Sequence, residues 1–165
     1  MYMAGIDPTQ TWASTDKPSY GLGDVVFNKT SAGIKGYVLC QDSGAGVTGD
    51  GYVVLMDGSS YSAIMASTTT SAPGTGQGKL AGVARAAVTA SYYFWAQIYG
   101  PGVVRTAASC AAYTAINTTG TAGQLDDDAS VGAEIINGIV LDTATGGAAA
   151  TTAAWIQWPN VGRTL

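Results

Sequence analysis

The groups in this chain that could move protons, attack a substrate or hold a metal rarely fall in usable patterns. The densest is Asp126-Asp127-Asp128, three adjacent carboxylates whose oxygens suit a hard cation such as calcium. They lack the alternating spacing of an EF-hand loop, and three acids in a turn read first as a solvated negative patch. Asp24, Asp42, Asp50, Asp57, Glu134 and Asp142 fall mostly at strand ends, where Asp favours turns, so no pair is marked as a hydrolytic dyad. Histidine is absent, which removes His-based triads, a histidine general base and most catalytic zinc sites. No serine sits in a Gly-x-Ser-x-Gly elbow. Gly74-Thr-Gly76-Gln-Gly78 has the glycine content of a phosphate-cradling loop without the Lys-Ser/Thr that binds the phosphates, and no helical pattern follows it. Cys40 and Cys110 each lie in or beside an apolar run and read as buried thiols; a disulfide between them needs a geometry that spacing alone does not supply. The expectation is a protein that is not an enzyme, with no catalytic, cofactor-binding or metal-binding residues and no cofactor.

The elements that would position such groups are strands. Period-two alternation or short β-branched runs mark Gly23–Lys29, Lys35–Gln41, Tyr52–Met56, Lys79–Ala84, Thr114–Thr118, Glu134–Leu141 and Ala154–Trp158. Tyr61–Met65 reads as a short edge strand, Gln124-Leu125 as a brief pairing, and Ala107–Tyr113 as the one place where a helical turn is plausible. No longer window favours the 3.6-residue period, so the class is all-β, a compact antiparallel barrel or sandwich. The Thr-, Ser- and Gly-rich stretch 68–78 reads as an exposed loop within one β-domain over 21–165, with subdivision there as the alternative.

The central stretch is Ser91–Thr106. Tyr92, Phe94 and Ile98 share one face and form the expected core set; Tyr93, Trp95 and Tyr99 share the other. That second face needs its own cover, from the echo hairpin described below or from a subunit interface. Pro101-Gly102 reads as a tight turn that makes the stretch a hairpin. Residues 1–20 have no period and contain Pro8 and Pro18, yet they carry Tyr2, Ile6, Trp12 and Tyr20. They read as an extended N-terminal arm whose aromatics a neighbouring groove would order, against the simpler reading of a terminus packed on its own domain. The candidate interface residues are therefore Tyr2, Ile6, Trp12, Tyr20, Tyr93, Trp95 and Tyr99.

Composition narrows the partners. The chain is 47% hydrophobic and only 11% charged, with a polar surface left to Ser, Thr, Asn and Gly, which suits dense packing among copies. The net charge of −4 and the single, scattered placement of the 7 basic residues argue against nucleic acid. No run approaches the roughly 18 apolar residues of a membrane span. The opening Met-Tyr-Met-Ala-Gly-Ile-Asp does not read as a secretory signal, so synthesis and assembly inside a cell are expected.

Two segments echo each other. Leu80-Ala-Gly82-Val83-Ala84 leads to Trp95-Ala-Gln97-Ile98, and Ile136-Asn-Gly138-Ile139-Val140 leads to Trp155-Ile-Gln157-Trp158. As similar hairpins on facing positions of one barrel, they would use each Gly as a bulge or a close backbone approach. These strands, with Leu22–Phe27, Gly138–Leu141 and the closing Trp158-Pro-Asn-Val-Gly162, resemble the small capsid decoration (cement, or head-stabilisation) proteins of tailed bacteriophages. The resemblance covers most of residues 20–162 and is one of pattern, with no diagnostic motif. It implies a β-fold that assembles as a homotrimer on the outer capsid surface of the virion and bridges copies of the major capsid protein, without an active site. A carbohydrate- or receptor-binding β-module, with Trp12, Tyr93 and Trp155 as exposed aromatics, and a tail or baseplate structural protein are the alternatives.

Overall fold

A computed structural model of the chain describes residues 5–75 and 80–162, and among these residues there is no helix. Eleven strands follow in order: β1 Thr11–Trp12, β2 Val25–Thr30, β3 Gly33–Asp42, β4 Val53–Met56, β5 Ser62–Met65, β6 Leu80–Ala84, β7 Tyr93–Thr106, β8 Asn117–Thr118, β9 Leu125–Asp126, β10 Ile135–Leu141 and β11 Ala150–Gly162. The all-β expectation holds, with a topology that strand patterns did not reveal.

The pairings close two rings that share one strand. In the first, β7 pairs with β6, β6 with β4, β4 with β5 and β5 with β3, and β3 returns to β7. In the second, β11 pairs with β10, β10 with β8, β8 with β9 and β9 with β7, and β7 returns to β11. Adding four to each label of the first ring reproduces the second, including the orientation of every pair. Each ring has antiparallel pairs and one short parallel closure, β3 with β5 and β7 with β9. The sequence echo is the visible trace of this repeat: its two segments are the β6–β7 and β10–β11 hairpins, equivalent in two rings and not facing each other in one barrel.

The strand that opens each ring ends on a buried polar residue. Asp42, at the end of β3, accepts from the backbone N–H groups of Gly44, Gly46 and Ser91 at 2.7, 2.9 and 2.9 Å. Thr106, at the end of β7, shares hydrogen bonds with the Thr145 and Thr152 hydroxyls and lies 3.2 Å from the Ala150 carbonyl it donates to. In both rings the group fastens the loop that starts the ring's final strand, β7 or β11. Asp42 is thus a structural acid: three donors converge on its Oδ2, while among the described residues its buried Oδ1 takes no hydrogen bond.

β7 serves both rings because it bends without reversing. Residues up to Tyr99 pair with β3, and Tyr99–Thr106 pair with β11. The expected Pro101-Gly102 turn is therefore absent. The positive φ sits at Gly100 (91°), where any Cβ would collide with the Ile34 carbonyl oxygen. One residue in the left-handed region kinks a strand, whereas a type II turn needs a different pair of conformations. The Gln97 amide, fully buried, donates toward the carbonyls of Tyr99, Gly100 and Pro101 at 3.1, 3.3 and 3.0 Å and fixes the kink from inside.

Each ring has its own core. Val38, Cys40, Val54, Met56, Ala63, Ala84, Phe94, Ala96 and Ile98 fill the first, so Phe94 and Ile98 face the core as expected and Tyr92 packs at its margin. Val104, Ile116, Leu125, Ile136, Ile139, Leu141 and Ile156 belong to the second, joined by Val53 and Leu55 from the other face of β4 and by Ala81 and Val83 from β6. β4 is buried on both faces, which is why its sequence is a continuous apolar run. A third cluster covers the outside of β3 and β7: Tyr37, Leu39, Tyr93 and Trp95 lie under Ile6, Trp12, Tyr20 and Leu22.

Other expectations shift. β5 lies between β4 and β3 and is not an edge. Ala107–Tyr113 forms turns with positive φ at Ser109 and Tyr113, because the chain must bend there to start β8. β11 continues through Pro159, accommodated by a bulge opposite Gly138, whose φ is 78°. Gly82 instead marks a close approach, since a Cβ there would come within 2.9 Å of the Ala96 Cβ. After β5 the chain is tied to the second ring by Thr68 N–H, which donates to the Thr119 carbonyl at 2.9 Å, and by the Ser71–Thr118 hydroxyl pair at 3.1 Å. Residues 76–79, the remainder of the 68–78 loop and the start of Lys79–Ala84, lie outside the described residues.

Gly100→Ala should lower unfolding free energy by about 2–4 kcal/mol, because strain and collision add at a buried kink. Gly147→Ala, open and unstrained, should stay within about 0.5 kcal/mol. Urea midpoints with unchanged m-values would check both. Gln97→Leu should cost about 1–3 kcal/mol by stranding carbonyls that have lost their donor.

Candidate interaction surface

The candidate interface residues separate into three groups. Tyr2 lies outside the described residues. Ile6, Trp12, Tyr20, Tyr93 and Trp95 come together, but within the chain: the N-terminal segment lies on β3 and β7, and β1 pairs with the start of β7 through Thr11↔Phe94 and Trp12↔Tyr93. Trp95 is only 1% exposed. The cover over Tyr93 and Trp95 is thus the chain's own N-terminal segment, while Tyr99 packs on Trp155 of the echo hairpin, as one of the expected covers has it. The physical reason is proximity: an apolar segment tethered to the same chain reaches that face at high effective concentration. Asn28 helps to hold the segment, its side-chain N–H donating to the Ile6 carbonyl at 2.9 Å.

Tyr99 is the exception. It is half-buried and stands edge-to-face against Trp155 of β11 and Phe27 of β2, with centroids 5.9 and 6.3 Å away. Phe27 in turn meets Trp158 at 6.4 Å. The result is a ridge Trp155–Tyr99–Phe27–Trp158 that starts and ends on β11 and crosses Tyr99 of β7 and Phe27 of β2 between. Trp155 is 41% exposed and Trp158 is 52% exposed. Beside the ridge is a cleft of about 220 Å³ lined by Val25, Tyr61, Leu80, Trp158 and Pro159, with Val38, Met56 and Ile98 of the first core deeper within it. The cleft is the open mouth of the first ring. Val25 and Leu80 at its rim are exposed apolar side chains.

Two cleft residues have strained backbone. Tyr61 (φ 52°) and Trp158 (φ 48°) occupy the left-handed region, which side chains with a Cβ rarely adopt. Trp158 lies in the β11 bulge and is turned outward by it. Tyr61 has its ring against Gly23, where any Cβ would overlap that ring. Strain of this kind, about 1–3 kcal/mol per residue, persists where packing imposes it and clusters at sites of function. Trp155, named among the exposed aromatics of the carbohydrate-binding alternative, does face outward, in a strand whose burial alternates strictly from Thr151 to Gln157. Trp158, Phe27, Val25, Leu80 and Tyr61 were missed, because their convergence depends on the bulge and on ring closure.

The acidic triplet is split by the fold. Asp126 and Asp127 are partly buried beside Cys110, their potential ligand atoms within 4.8 Å of one another, while Asp128 is exposed. Within the cluster, Asp127 N–H donates to Asp126 Oδ1 at 2.9 Å. Burial, with Asp127 as a secondary cause, raises the Asp126 pKa above its ordinary value. Burial likewise pushes the Cys110 thiol up to about 11 and the Cys40 thiol well above its ordinary value. Both cysteines are buried and free.

No family model matches the chain, and no curated protein matches it.

Neither native thiol should react with a disulfide reagent at pH 8, where both are protonated and covered, and both should react fully in urea. The raised Cys110 pKa stabilises the fold below about pH 9. This contribution should be lost as pH rises from about 9 towards 11, seen as a falling urea midpoint that Cys110→Ser diminishes.

Proposed function

We propose that this chain is a non-catalytic structural virion protein that decorates and stabilises a tailed-bacteriophage capsid, binding the outer surface of the major capsid protein lattice as a homotrimer. The observation that carries the reading is the exposed ridge Trp155–Tyr99–Phe27–Trp158 with its apolar cleft, set on a body with few charges. Exposed Trp and Tyr beside a pocket are the usual anchors of a protein interface, and contiguous apolar surface on a soluble body marks a contact site. The sequence pattern shared with capsid decoration proteins supplies the identity of the partner.

Asp42 and Thr106 have structural work, fastening ring-closing loops. In this reading the ridge meets the lattice or a neighbouring copy, because residues 5–22 spend Ile6, Trp12 and Tyr20 on their own sheet. Threefold engagement multiplies weak contacts, so modest affinity at each ridge suffices against outward pressure on capsid seams.

Native mass measurement of the purified chain should show a trimer, and the chain should co-sediment with expanded heads that lack it. Trp155→Ser with Trp158→Ser should reduce head binding by about 100-fold or more while leaving the melting transition near its original position. A strict monomer without affinity for heads would sink the reading. Labelling of tails instead of heads on intact particles would move the protein to the tail or baseplate, and binding on a glycan array alone would favour a carbohydrate-binding module.

A further inference from the structure

The β11 bulge that turns Trp158 outward also dictates what faces it on β10. Asn137 pairs with Asn160 and Ile139 with Ile156, so the ladder skips Gly138 on one strand and Gln157, Trp158 and Pro159 on the other. Gly138 has a φ of 78°, and a Cβ there would collide with the Gln157 carbonyl oxygen, so this position requires glycine. The residue before it is Asn137, which makes 137–138 the one Asn-Gly pair in the sequence. The Asn137 side chain is exposed. Its Nδ2 donates to Asn160 Oδ1 at a long 3.4 Å, and its carboxamide lies over Gly162, where no Cβ takes up the space.

We propose that Asn137 is a site of spontaneous deamidation, converted through a cyclic imide with Gly138 into aspartate and isoaspartate. The Gly138 nitrogen gives its proton to hydroxide and attacks Asn137 Cγ. The new N–Cγ bond closes a succinimide ring, and Nδ2 leaves as ammonia. Water then opens the imide at either carbonyl, giving aspartate or an isoaspartyl link whose main chain runs through the former side-chain carbonyl. The net change is water in and ammonia out, with nothing oxidised or reduced.

The fold singles out this asparagine. Gly138 has no side chain to shield its nitrogen, and the interrupted ladder lets the Asn137 backbone rotate to bring that nitrogen to Cγ. Asn28 precedes Lys29, and its side chain is tied to Ile6, donating to the carbonyl and accepting from the N–H. Asn117 is buried and precedes Thr118, and Asn160 precedes Val161; both followers are β-branched and crowd the nitrogen. Each event takes the formal net charge from −4 to −5. The isoaspartyl product also lengthens β10 opposite Trp158. The inference does not rest on the proposed capsid role.

The test is ageing of the full chain in warm, mildly alkaline buffer, folded and in urea, with peptide mapping by mass. Asp50-Gly51 and Asp57-Gly58 isomerise without a change in mass, so the amide-to-acid mass gain reports asparagine alone. In the folded chain the acid form at Asn137 should accumulate at least about tenfold faster than at Asn28, Asn117 or Asn160, and within about thirtyfold of its own rate in urea. Part of the product should accept a methyl group from an isoaspartyl methyltransferase. Asn137→Gln, a substitution at an exposed position, should fold and show no comparable gain, since its longer side chain closes the imide far more slowly. A folded-state rate more than about thirtyfold below that in urea would show the strand protecting Asn137 and would overturn the proposal. Equal gain in Asn137→Gln, or a faster gain at another asparagine, would overturn it too.

Discussion

The whole structure depends on the kink in β7. A strand that stayed straight could not leave the first ring and enter the second, and one that reversed would have ended the first ring in an isolated hairpin. Gly100 permits the kink because the Ile34 carbonyl occupies the space a side chain would need. Gln97 holds it by supplying a buried donor to three successive carbonyls around the kink. Only the Nε2 side of this buried amide is paired; Oε1 has no hydrogen-bond partner among the described residues, so the bonds to those carbonyls offset only part of the cost of burying it.

Sharing a strand also explains how a chain with so few charges keeps two small cores in register. β4 and β6 present one face to the first core and the other to the second, so the rings are packed together as well as threaded together. Each ring ends its opening strand on a buried polar group that ties down the loop to the closing strand. One ring uses a carboxylate and the other a threonine hydroxyl cluster. The chemistry differs, but the mechanical task is the same: the loop must be held while a parallel closure of only one or two residue pairs completes the ring.

The surface follows from the same constraints. Closing the first ring leaves one end open beside Leu80 and Pro159, and the bulge opposite Gly138 swings Trp158 over it. The N-terminal segment seals the outer face of β3 and β7 that ring closure leaves apolar, and in doing so sets Trp12 and Tyr20 upright on Trp95. The ridge therefore arises where regular pairing stops, at a bulge. Such places can carry exposed aromatics without disturbing the ladders.

By itself the sequence determined the class, most strand positions and the allocation of alternating side chains, since period two is written in the order of residues and needs no partner to be read. It carried a trace of the repeat too, as Leu80–Ile98 echoed in Ile136–Trp158, but the placing of those hairpins in two rings came from the pairings. Only the tertiary structure decided that β7 passes through Pro101 without turning, that β5 is interior, and that Tyr93 and Trp95 lie under the chain's own N-terminus. Those outcomes depend on which distant strand arrives at each edge. Val54 and Gly82, or Cys40 and Phe94, are paired by ring closure across long stretches of chain. Local propensity carries no record of that meeting, and so the ridge and the cleft came into view only with the closed rings.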